Sequence, residues 1–81
     1  MSTVTGKVIV TLDLRGLKCP YPVIKTENRL KTLAAGALLS VETTDPLSAI
    51  DIPHFCNEHG HELVSLEKRD DRYRFVIRNR L

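Results

Sequence analysis

Cys19 stands between Lys18 and the run Pro20-Tyr21-Pro22, and it is the residue of this chain best suited to act as a nucleophile. The thiolate is the reactive form of cysteine. It is favoured where a helix begins, because the first N–H groups lack partners and the helix dipole is positive there. Cys19 occupies the expected N-cap of a helix, a place that capping alone would give to Ser, Asp or Asn. Arg15, Lys18 and Lys25 bring positive charge close in sequence, so a lowered pKa is expected. Pro20 and Pro22 fix the backbone and hold the sulfur on a rigid corner. A thiol displayed in this way suits exchange with another protein's sulfur. The plainer alternative is a small residue filling a gap at a strand-to-helix corner. Residue chemistry alone defines an exposed reactive thiol and goes no further.

The elements that must position this thiol follow from hydrophobic period. Lys7 to Leu14 alternates, with Val8, Val10, Leu12 and Leu14 on one side, which predicts a half-buried strand. After Arg15-Gly16-Leu17-Lys18, the positions Val23, Thr26, Leu30, Leu33 and Ala37 keep helical spacing, predicting a helix from about Pro20 to Ala35 that Gly36 stops. Leu38 to Thr44 alternates again, with Leu39, Val41 and Thr43 inward, until Asp45-Pro46 ends it. Asp45 or Asp51 could cap a second helix containing Phe55 and Cys56, in which Pro53 implies a restart or kink, and Gly60 closes it. Leu63 to Lys68 and Arg72 to Arg78 form a hairpin, with Tyr73, Phe75 and Ile77 facing the core. The order βαβαββ, with right-handed crossovers, predicts an α/β chain in the α+β sense: a two-layer sandwich with both helices on one face of a mixed four-stranded sheet.

Eighty-one residues without a low-complexity stretch are expected to make a single domain, 1–81, with residues 1–6 as a flexible N-terminus. A chain of this size buries roughly 60 to 65 per cent of its unfolded surface, so function is expected on the surface and not in a deep chamber. Twelve basic and ten acidic residues give a net charge of +2, too little for an obligate nucleic-acid binder. With no signal-peptide pattern and no long apolar run, a soluble cytoplasmic monomer away from the membrane is expected, its two cysteines as free thiols.

His54, Cys56, His59 and His61 crowd together, but no second ligand pair accompanies them; Cys56 is expected in the core, with no metal. Arg72, Arg74, Arg78 and Arg80 lie on one side of the last strand. They raise an RNA-binding or regulatory module on the open sheet face as the rival function. Against direct nucleic-acid binding, that face has no aromatic platform, since Tyr73 and Phe75 point inward. A thiol enzyme is a third reading, but no histidine stands at a readable distance from Cys19 to act as its base.

The stretch Leu12-Asp13-Leu14-Arg15-Gly16-Leu17-Lys18-Cys19-Pro20-Tyr21-Pro22 resembles the signature of the TusA/SirA sulfur-carrier family. Thr44-Asp45-Pro46, Asp51-Ile52-Pro53-His54-Phe55-Cys56 and Gly60-His61-Glu62-Leu63 extend the resemblance over nearly the whole chain. It implies a fold like the C-terminal domain of translation initiation factor three, with sheet order 1-2-4-3. In that order Arg74 and Arg78 have Glu42 and Glu67 as available neighbours. The family's functional cysteine carries over to Cys19 alone. It implies a persulfide on Cys19, received from a cysteine desulfurase or rhodanese-type donor and relayed to an acceptor protein without any cofactor. Pro20 and Pro22 support the site, and Arg15, Lys18 and Lys25 are expected to line the partner surface. Tyr21 fills the motif's variable position, where the best-known transfer-RNA-modifying members carry an acidic residue. Transfer-RNA thiolation, molybdenum-cofactor assembly and sulfur oxidation all remain open as destinations.

Overall fold

The computed structural model describes residues 9–80. The expected flexible N-terminus and the first residues of the first strand, Lys7 and Val8, lie outside that range. Six elements follow in order: β1 (Ile9–Leu14), α1 (Tyr21–Leu30), β2 (Leu38–Thr43), α2 (Ser48–His59), β3 (Glu62–Arg69) and β4 (Arg72–Arg78). The sheet runs β1-β2-β4-β3, with β1 parallel to β2 and the other two pairings antiparallel. This is the expected two-layer α+β arrangement.

Alternation decides which side is covered. Leu39, Val41, Phe75 and Ile77 are fully buried, and Leu14, Leu30, Ile52, Phe55 and Cys56 join them in one cluster. Each aliphatic or aromatic side chain among them contributes about 1.5 to 3 kcal/mol of hydrophobic stabilisation. Tyr73 packs half-buried at the margin. A register shift between Leu63 and Ser65 re-phases the edge strand β3, so that Leu63 pairs with Ile77 and Leu66 with Phe75.

Helix α1 is shorter than its spacing predicts. It begins after Pro20 and ends at Leu30, with turns from Lys31 to Ala35 before Gly36 at φ +88°. The reason lies at the far end of the chain. Asn79, just past β4, sends its side-chain amide into the helix end, donating to the carbonyls of Leu30, Leu33 and Ala34 at 3.1, 2.8 and 3.2 Å. Its backbone N–H bonds Ala37 O at 2.8 Å, and its carbonyl accepts from Gly36 N–H. The terminal carbonyls of α1 thus find their partners in tertiary structure. On the inward face Pro22, Thr26 and Leu30 are buried at intervals of one turn, so Pro22 is a core residue as well as a backbone constraint.

Helix α2 runs unbroken through Pro53, without the expected restart. Neither Asp45 nor Asp51 caps it: the N-cap is Leu47, with no side-chain cap. Asp45 shapes the approach instead, its Oδ1 accepting from Leu47 N–H at 3.2 Å and its carbonyl from Ser48 N–H at 3.0 Å. Gly60 ends the helix at φ +76°, a left-handed stop where a Cβ would be strained.

Candidate functional site

Because β1 and β2 are parallel neighbours, the loops that follow them emerge at the same end of the sheet. Those loops carry the two halves of the site. Gly16 N–H donates to Thr44 Oγ1 at 2.9 Å, and Cys19 N–H donates to Asp45 Oδ2 at 2.6 Å. The Cys19 thiol then donates to Asp51 Oδ2 at 3.0 Å. Cys19 is exposed and free, and a cis peptide joins it to Pro20.

The sequence places the thiol at the helix N-cap, but the structure puts Pro20 there and Cys19 one residue earlier. Its backbone is held from the other loop, not by its own helix. The electrostatics also reverse the expectation. Asp51, through its hydrogen bond, is the largest influence raising the Cys19 pKa; desolvation and the charges of Asp51 and Asp45 push the same way. Arg15, expected beside the sulfur, is bound to Asp13 by two bonds of 2.8 Å. That pairing holds the Asp13 carboxyl down at about 2. Lys18 and Lys25 are exposed on the motif loop and on α1. The charges that shift Cys19 are instead those of Asp51 and Asp45.

Sequence reasoning read Asp45 and Asp51 as helix caps and missed them as partners of Cys19. The available signal was positional: both lie just after β2, the strand parallel to the one that leads to Cys19. A further feature unseen in the sequence is apolar. Tyr21 and Ile24 on α1, and Leu47 and Ile50 at the start of α2, are exposed on the segments that carry the sulfur and its two carboxylates.

The Cys/His-rich stretch is dispersed among other partners. Cys56 is buried, and burial pushes its thiol up to about 11. His54 faces Glu58 at 3.8 Å, and His59 packs on the Phe55 ring at 4.7 Å. His61 is buried, its Nδ1 accepting from Arg80 N–H at 3.2 Å. On the open face Arg74 pairs with Glu42 at 3.1 Å, as expected. Arg78 pairs with Glu62 at 3.0 Å instead of Glu67, because the β3 register sets Glu67 opposite Arg74.

The site therefore defines a class: a small βαβαββ protein that presents one exposed thiol at the junction of two loops. Comparison with known proteins makes the class particular. Residues 10–79 match the family model described as Sulfurtransferase TusA. The chain is 43% identical over 76 residues to the sulfur carrier protein TusA of Pseudomonas aeruginosa strain LESB58, covering 94% of this chain and 96% of that one. It is 45% identical over 69 residues to the sulfur carrier protein TusA of Pseudomonas putida strain W619, covering 85% and 86%. The chain belongs to the TusA family.

Proposed function

We propose that this protein is a sulfur carrier that holds sulfane sulfur as a persulfide on Cys19. The observation that carries the reading is the exposed Cys19 thiol at the two-loop junction, within an intact Cys-Pro-x-Pro motif. In loading, the Cys19 sulfur attacks the terminal sulfur of a donor persulfide. A new S–S bond forms, the donor's S–S bond breaks, and its electron pair leaves on the donor cysteine. Delivery repeats the exchange with an acceptor thiol, and no outside oxidant is consumed. The donor is a cysteine desulfurase or a rhodanese-type protein, and the acceptor is a protein thiol of a pathway such as transfer-RNA thiolation in the cytoplasm.

Pro20 and Pro22 support the thiol by fixing the backbone after it, and Pro22 is buried in the core. Lys18 and Lys25 belong to the partner surface, where exposed charge tunes encounter rate; Arg15 joins it as half of an ion pair with Asp13. The open sheet face, the seat of the rival RNA-binding reading, has Arg74, Arg78 and Arg80 paired with Glu42 and Glu62.

Incubation with a cysteine desulfurase and cysteine, followed by intact-mass measurement, tests the proposal. The protein should gain reducible sulfur and lose it to an acceptor thiol. A protein that gains none from desulfurase, rhodanese or a small persulfide is not a carrier.

A further inference from the structure

A nucleophilic thiol beside two carboxylates is set against its own ionisation, and the two carboxylates differ in aim. Asp45 is turned to the backbone, holding Cys19 N–H and Leu47 N–H. Asp51 is turned to the sulfur, with Oδ2 at 3.0 Å from Sγ. Asp51 lies in the first turn of α2, where the helix dipole favours an acid whichever way its side chain points. A dipole role alone leaves that oxygen free to face water; here it accepts the thiol's hydrogen bond.

Building on the carrier reading, we propose that Asp51 is the proton acceptor that allows Cys19 to load sulfur from its neutral thiol form. As Sγ attacks the terminal sulfur of a protonated donor persulfide, the Cys19 proton moves along the hydrogen bond to Asp51 Oδ2. The electron pair of the S–H bond becomes available to the new S–S bond. The donor's S–S bond breaks, its pair leaves on the donor cysteine as a thiolate, and the terminal sulfur carries its own hydrogen across. Asp51 then releases its proton to water. On delivery, an acceptor thiolate takes the terminal sulfur, and a proton returns to the departing Cys19 sulfur through the same carboxyl. The charged groups that raise the sulfur's pKa are Asp51 from α2 and Asp45 from the connection before it; the loop after β1 and α1 carry the exposed Lys18 and Lys25. With Asp51 as its base, the site needs no histidine.

The test compares two reactions of Cys19 in wild type, Asp51→Asn and Asp51→Ser, after urea melts establish that each variant is folded. Asparagine keeps the shape, and serine keeps a residue suited to a helix start. Iodoacetamide reports the thiolate population, and glutathione persulfide reports sulfur loading. Loss of the carboxylate should speed alkylation several-fold at neutral pH and slow loading about tenfold or more, so that the two rates move in opposite directions. Asp51→Glu should recover part of the loading. Taking the variant-to-wild-type ratio at each pH cancels the donor's own titration, and the loading deficit should be largest below the thiol's pKa. If both reactions speed up, Asp51 only suppresses the thiolate, and if loading is unchanged it is a bystander; either result overturns the proposal. A wild-type protein that alkylates but never loads overturns the carrier reading, and this proposal with it.

Discussion

At the scale of single residues, the two cysteines are separated by access more than by acidity. Both pKa values are raised, Cys19 chiefly by Asp51 and Cys56 by burial. Cys19 in the folded protein should therefore alkylate more slowly than a model peptide thiol at neutral pH, yet well ahead of Cys56, which is buried. Peptide mapping of labelling rates checks both orderings. A Cys19 faster than the peptide would mean that the helix end and its lysines outweigh the carboxylates. Cys19 was legible in the sequence because Cys-Pro-x-Pro is a local pattern. Its electrostatic setting was not, because Asp45 and Asp51 reach it from the loop after β2 and from the first turn of α2, 26 and 32 residues further along the chain.

At the scale of elements, period gave the strands and the inward faces, while the helix ends depended on distant partners. The alternation of Leu39, Val41 and Thr43 reads directly as a buried face. The end of α1 at Leu30 does not, because Asn79 from beyond β4 binds the carbonyls of Leu30 and of the turn that follows it. Pro53 misled for a related reason: a proline inside α2 costs a hydrogen bond, but Ile52, Phe55 and Cys56 around it are buried, and that packing outweighs the loss. Asn79→Ala should therefore destabilise the fold by about 2 kcal/mol, since it removes the amide's bonds to three carbonyls and leaves that of Leu33 without a partner, while Leu30 and Ala34 keep the N–H groups of Leu33 and Ala37. Urea melts measure it. A loss near zero would show that the turns from Lys31 to Ala35 close the helix unaided. Sulfur loading should be unaffected, as the cap lies away from the loops that hold Cys19.

At the scale of the whole molecule, a small core sets stability while the loop junction sets chemistry. Cys56→Ala removes a buried sulfur from that core and should cost about 0.5 to 2 kcal/mol while leaving sulfur loading intact. Stability should also fall in mild acid. Burial, with a smaller part from His59, holds the His61 pKa below the ordinary histidine value. The unfolded chain therefore binds a proton on this residue more readily than the native one does. The stability it contributes is fully present above about 6.5 and is lost as pH falls from there through the lower native value. Urea midpoints across that range should decline in the wild type and flatten in His61→Asn; equal slopes would mean that His61 does not govern the decline. The open face followed from right-handed crossovers that set both helices on one side, while the sheet order followed from the family resemblance and not from period, which gives each strand its faces but not its neighbours.

The carrier role stands or falls with Cys19 Sγ as the atom that holds sulfur. The direct measurement is to load the protein with a cysteine desulfurase and cysteine, alkylate the product, digest it, and locate the extra sulfur by mass. The prediction is an alkylated persulfide on the peptide containing Cys19 and none on the peptide containing Cys56, with no uptake by Cys19→Ser. Sulfur found on Cys56, or uptake that survives in Cys19→Ser, would contradict it.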